Sequence, residues 1–309
     1  MELSGLLAVV VFTGIFAGIY ALLSLGLNLQ WGYTGLFNVG VVGFYAMGAY
    51  TSALLTVPAS PPHFGGLGLP IPVGMLGAML ASGLLALLVG WPTLRLREDY
   101  LAIATISLAE TLRLVLKNET WLTNGVQGIR DIPRPLQQAL GASYDVWYLG
   151  LLWVLVLSAY WASERLVRSP WGRVLKAIRE DETVAASVGK AVWRFKMQAL
   201  ILGAMLMGLA GSVYAHYVKF ISPDTFQPLM GTFLVWVMLM AGGSGNNRGA
   251  ILGALVIWGL WSMSDVLTSY LPAPLDTRAS YLRVILIGLV LQGILLKRPQ
   301  GILPEQRGR

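Results

Sequence analysis

Apolar residues fill this chain in long runs, and polar residues gather in the gaps between them. Leu6 to Leu29 carries no charge, and about 20 apolar residues suffice to cross a bilayer. Further runs cover Val73–Pro92, Tyr100–Leu116, Trp147–Ala162, Met197–Tyr217 and Tyr281–Leu296. Two others are interrupted by glycine. Gly32–Leu55 holds glycines at 32, 35, 40, 43 and 48, with Asn38 inside it. Leu229–Met240 and Ala250–Met263 flank the run G-G-S-G-N-N-R-G, Gly242–Gly249. In transporters, glycine-broken spans place unwound backbone beside protein or a water-lined cavity. Close packing through small residues gives the same pattern, so both readings stand for Gly32–Leu55. The pattern predicts an all-α, polytopic transmembrane helical bundle of about eight to ten spans, some of them glycine-broken.

One segment breaks the rhythm in the opposite sense. Ser169–Lys190 is the single long, densely charged stretch between apolar runs. Ser169 followed by Pro170 suits a helix start. Trp171, Val174, Leu175 and Ile178 recur at helical spacing, while Arg173, Lys176 and Arg179 fall mostly off that stripe. Asp181 suits the cap of a second short helix, and Gly189 closes it. Such an amphipathic elbow either lies on lipid headgroups or docks against another protein.

Composition agrees with the pattern. The 309 residues are 56% hydrophobic and 12% charged, with mean hydropathy +0.66, where soluble domains carry about a quarter charged residues. The net charge of +7 reflects basic loops on one side of a membrane and gives no reason to invoke nucleic acid. Fourteen Lys/Arg, namely Arg95, Arg97, the group from Arg168 to Lys196, Arg248 and those from Lys297 to Arg309, fall on one face, against Arg130, Arg134, Lys219 and Arg278 on the other. The elbow and the C-terminus are therefore expected to be cytoplasmic, with Asp265–Ser280 external. The first run lacks a basic leader and is too long for a cleavable signal.

Candidate chemistry is sparse. With no cysteine, disulfides and thiolate chemistry are excluded. The two histidines, His63 and His216, both read as loop residues and lie far apart, so neither a metal site nor another cofactor site is expected. No clustered acids and bases suggest catalysis, and the glycine run 242–249 lacks the ending of a nucleotide loop. Glu110 and Arg113 share one helix face and can pair. A charged group in a span is a functional candidate, but a structural pair fits better because one helix end is near. Thr105, Ser107 and Thr111 on the same helix point toward protein.

Several motifs bear a family resemblance. The string R-S-P-W-G-R-V-L-K-A-I-R-E-D-E resembles the LivM-like permeases of the branched-chain amino acid ABC importer family, and Ala185–Gly189 resembles the EAA-type cytoplasmic loop of ABC importer permeases. Thr183-Val184 stand where some permeases carry the motif's acidic residue. Gly32, Gly35, Leu36, Phe37, Asn38, Gly40, Phe44, Gly48, Ala49 and Tyr50 match a further family signature. Thr123–Ile129 resembles T-G-G-x-x-G-I, with Asn124 in place of a glycine, and Gly242–Ala254 and the C-terminal K-R-P-Q-G-I-L-P also match.

The resemblance implies one permease domain over residues 1–309 in a bacterial inner membrane, with a coupling loop at 168–196. It implies two ATP-binding subunits, a second permease subunit (LivH-like or a copy of this chain) and an external solute-binding protein, with membrane lipid around the bundle. Arg179, Glu182, Ala185, Ala186 and Gly189 are then the candidate contacts to the ATPase. Asn38, Gly40, Phe44, Glu110, Thr123 and Gly125 are the candidate substrate-pathway residues. Branched-chain or other neutral amino acids are the implied solutes, with urea or amides in close relatives. The alternative is a stand-alone, ion-coupled transporter or channel, for which Glu110 is the sole deep carboxylate.

Overall fold

The computed structural model describes residues 2–58, 64–95, 98–268 and 279–305. His63, Arg97 and Arg278 lie outside these. The principal helices are α1 (Glu2–Leu27), α2 (Val41–Thr56), α3 (Ile71–Thr93), α4 (Glu98–Asn118), α5 (Tyr144–Arg168), α6 (Pro170–Glu180), α7 (Glu182–Ser187), α8 (Val192–Val218), α9 (Leu234–Gly242), α10 (Asn247–Thr268) and α11 (Ala279–Lys297). Among the described residues the only β pairing is an isolated bridge between Ile129 and Ile221.

Among the described residues, four stretches are long and apolar enough to span a membrane: Leu7–Gly32, Ile71–Thr93, Tyr144–Arg168 and Val192–Val218. Leu229–Gly242 and Asn247–Ser264 form a pair bent by 119° at the glycine-rich turn, a fifth span or a re-entrant hairpin. Helix α2 has 16 residues, about 24 Å of rise against a hydrocarbon core of about 30 Å. Helix α4 is long enough but carries Glu110, Arg113 and Lys117. Among the described residues, four stretches are span-length by composition, and shorter or charged helices surround them in the polytopic helical bundle.

Helix α8 is the hub. Its span is 72% buried, against 28% for α5, and α1, α2 and α3 pack on it. Small residues allow the approach. A Cβ on Gly48 of α2 would collide with the backbone of Gly208 of α8, so these helices meet backbone to backbone. The opposite faces point outward. On α3, Leu76, Leu80, Leu84 and Leu88 recur every fourth residue and are all more than half exposed, the stripe a lipid-facing helix presents.

Three local expectations are corrected. Ser169 does not cap α6: its hydroxyl donates backward to the Leu166 carbonyl at 2.6 Å. His216 is no loop residue. It sits in the last turn of α8, fully buried, with Nε2 2.9 Å from the Ser52 hydroxyl and Nδ1 2.7 Å from the Pro133 carbonyl. Of the polar residues on α4, only Thr105 is buried; Ser107 and Thr111 are exposed.

Candidate functional site

The elbow is built by local rules. Asp181 caps α7, its Oδ1 accepting from the amides of Thr183 (2.8 Å) and Val184 (3.0 Å) and from the Thr183 hydroxyl (2.6 Å). These bonds, the Thr183 hydroxyl first, hold the Asp181 carboxyl below the usual range. Gly189 ends α7 at φ +79°, the left-handed conformation glycine adopts without strain, and Lys190 N returns to the Ala185 carbonyl at 3.2 Å, satisfying a helix-end carbonyl. Ala185, Ile178 and Val192 form a small buried cluster flanked by Val174 and Phe195. Lys196 of α8 pairs with Glu182. The elbow is therefore fixed to α8 as one body.

The predicted coupling residues divide. Ala186 and Gly189 are exposed, and no atom lies within 4 Å of a Cβ placed on Gly189. Glu182 is tied to Lys196, and Ala185 is buried. Arg179 turns inward: one Nη donates to the Gly32 carbonyl, and the other reaches Glu305 at 2.7 Å and Glu180 at 3.1 Å. Sequence reasoning missed Val184 and Val188, 58% and 67% exposed on the outer face of the elbow. Their spacing of four along α7 and its C-cap was the available signal.

Arg179 stands at a junction. The C-terminal tail straps the turn between α9 and α10, with Ile302 N and Leu303 N donating to the carbonyls of Ala241 and Gly242, each at 2.9 Å. Glu305 ends the strap between Lys176 (2.8 Å) and Arg179 (2.7 Å). Burial works against its charge, but the hydrogen bonds from Lys176 and Arg179 outweigh it and hold the carboxyl below the usual range. A cavity of about 440 Å³ opens here, lined by Trp31, Gly32, Gly35, Arg179, Ser244 and Glu305 among others.

The two glycine-broken regions meet above this junction. After α1 the chain makes one wide π-helical turn at Asn28–Gly32 and is non-helical from Tyr33 to Gly40. Asn28 accepts from Gly245 N at 2.8 Å and donates to Asn247 at 3.0 Å. Asn38 donates to Gln30 at 2.7 Å, accepts from Gly40 N at 2.8 Å, and takes the Trp236 indole on its carbonyl at 3.0 Å. Thr105 of α4 accepts from Val39 N, and Thr232 from Val42 N, each at 3.1 Å. The unwound backbone is thus satisfied by side chains from other elements, as buried irregular backbone must be.

The predicted pathway residues fall along α4. Asn38, Gly40 and Phe44 are buried where α2 begins, with Gly40 against Thr105. Thr123 and Gly125 are buried at the far end of α4, where the Thr123 hydroxyl donates to the Leu116 carbonyl at 2.6 Å. Glu110 lies between them, gripped by Arg113 at 2.6 Å. Arg113 also faces Asp224 at 3.4 Å. An ion-coupled carrier needs a carboxylate free to exchange its ion, and Glu110 is committed to Arg113. Among the described residues no group of His, Cys, Asp or Glu could hold a metal ion.

The family described as "Branched-chain amino acid transport system / permease component" matches residues 9–295. The chain is 35% identical to the high-affinity branched-chain amino acid transport system permease protein LivM of Escherichia coli, over 94% of this chain and 68% of that protein. It is 28% identical to the probable branched-chain amino acid transport permease protein LivM of Methanocaldococcus jannaschii, over 94% and 91%. It is 26% identical to the corresponding LivH permease of Salmonella typhimurium, over 94% and 95%. No solved structure matches the chain at a significant level.

Proposed function

Because this chain belongs to the family of permease components of branched-chain amino acid transport systems, we propose that it moves leucine, isoleucine and valine, driven by ATPase subunits that dock on the elbow. The observation that carries the docking assignment is the pair Val184 and Val188, exposed on a lever fixed to the central helix. The partners are two ATP-binding subunits, a second permease of the LivH kind or a copy of this chain, and an external solute-binding protein. The elbow and the C-terminal strap face the cytoplasm, on the side richer in Lys and Arg.

In this mechanism the chain supplies no covalent chemistry. Closure of the ATPase pair displaces α6 and α7 together. Arg179 passes the movement to the Gly32 carbonyl and, through Glu305, to the strapped turn between α9 and α10. Both broken regions and α8 therefore move with the elbow, and the surrounding helices rock between outward and inward access. The buried route past Asn38, Phe44 and Thr123 opens only in that cycle. Its mostly apolar walls accept aliphatic side chains but separate neighbours differing by one methylene poorly, so selection rests mainly with the binding protein.

Deleting the gene in the native host and measuring uptake of radiolabelled leucine, isoleucine and valine tests the solute. Uptake of all three is expected to fall and to return with a plasmid copy. Unchanged uptake of the three, with loss of a different solute, overturns the assignment.

A further inference from the structure

A further groove, of about 480 Å³, opens between the charged end of α5 and the start of α10, lined by Tyr160, Trp161, Glu164, Arg165, Arg168 and Arg248 among others. Its charge is unbalanced. Glu164 is the one carboxylate there, and both of its oxygens are occupied, one by Arg168 at 2.7 Å and the other by Asn247 at 2.9 Å. Arg165 has no salt bridge among the described residues. Its guanidinium lies 3.8 Å from the centre of the exposed Trp161 ring. Arg248 is likewise without a salt bridge there, and its Nε donates to the Tyr160 hydroxyl at 3.1 Å, which braces α10 against α5.

What lies beside the groove distinguishes its ligand. On α5, Val154, Leu157 and Trp161 are 64%, 58% and 56% exposed and lead along one helix face directly to Arg165. On α10, Leu255 is exposed seven residues, or two turns, beyond Arg248. One exposed apolar track on α5, with Leu255 of α10 beside it, therefore leads to a cationic, aromatic-lined groove where the apolar part of α5 ends. That is the depth at which tryptophan and arginine sit at a bilayer surface.

We propose that this groove is a binding site for one anionic phospholipid, its phosphate held by Arg165, Arg168 and Arg248 and its acyl chains lying along the α5 track and past Leu255. Basic pockets between helices at a membrane face take anionic headgroups by this chemistry. The lipid would rest against the base of the elbow, since Arg168 is followed directly by Ser169 and α6.

The test uses the full chain purified with the subunits it assembles with, and measures retention of labelled phosphatidylglycerol in detergent. Saturable retention is expected, with phosphatidylcholine much weaker and millimolar inorganic phosphate unable to displace the lipid. Arg165→Gln is expected to weaken it about fivefold, and Arg165→Gln with Arg248→Gln about 25-fold, from roughly 1 kcal/mol per basic residue at a membrane surface. Arg165→Lys retains most of the binding, and Arg130→Gln, at a distant loop, leaves it unchanged. Equal retention by the glutamine variants overturns the proposal. Equal binding of phosphatidylcholine, or displacement by free phosphate, overturns it too, the latter marking a simple anion site. Loss of a companion subunit with lipid retention intact overturns it in favour of a protein contact.

Discussion

Replacing Val184 and Val188 together by aspartate is expected to reduce solute uptake to background while the chain still accumulates in the membrane. Both side chains are exposed, and neither belongs to the buried cluster that holds the elbow to α8. The fold therefore loses little. An interface that buries them loses two apolar contacts and gains two carboxylates to desolvate. At about 2 kcal/mol each, the ATPase affinity falls roughly a thousandfold. Co-purification of the ATPase with the doubly substituted chain, alongside uptake, provides the check. The contrast is Ala185→Asp, which places a charge among Ile178 and Val192 and disturbs the elbow itself. Normal uptake by the double variant would mean that the exposed tip touches nothing of consequence.

Arg179→Met separates coupling from docking. The arginine bonds the Gly32 carbonyl, Glu180 and Glu305, and so ties the elbow to the first broken region and to the tail. Methionine keeps the volume but leaves a buried carbonyl without its donor, a loss of about 1–3 kcal/mol. The exposed tip is untouched. The ATPase subunits are expected to stay bound and to hydrolyse ATP, while uptake falls about tenfold or more, the factor that corresponds to 1.4 kcal/mol. Glu305→Gln is milder, because the amide oxygen still accepts from one of the two bases, while its NH2 faces the other. The same contact sets a pH dependence. The Glu305 carboxyl titrates below its ordinary value, so its contribution is complete above the ordinary carboxylate range. That contribution disappears as pH falls through the depressed value, and the strap therefore holds throughout the neutral range. ATPase activity that falls in step with uptake in Arg179→Met would place the residue in docking instead.

The elbow was readable in the sequence because its signals are local. A polar stretch between apolar runs, Asp181 at a cap and Gly189 at a helix end each act within a few residues. The strap was not readable. Glu305 meets Arg179 across 126 positions, and no periodicity encodes that meeting. The glycine-broken stretches were visible as breaks, but their contact through Asn28 with Gly245 and Asn247 spans more than 200 positions. Which breaks line a route and which seal a joint is decided by those distant partners. His216 was misplaced for a related reason. A polar residue at the end of an apolar run reads as an exit from the membrane, yet Ser52 and the Pro133 carbonyl satisfy it inside the bundle. Arg179 was legible as a charged elbow residue, but its inward turn depends on the tail.

The chain contains no cysteine, so one introduced thiol reports without background. Val188→Cys, placed in the assembled complex and treated with a short bifunctional reagent, tests the docking claim most directly. A cross-link to the nucleotide-hydrolysing subunit is the predicted result. A thiol that stays open to a water-soluble maleimide in the assembled transporter, with no cross-link formed, contradicts the account.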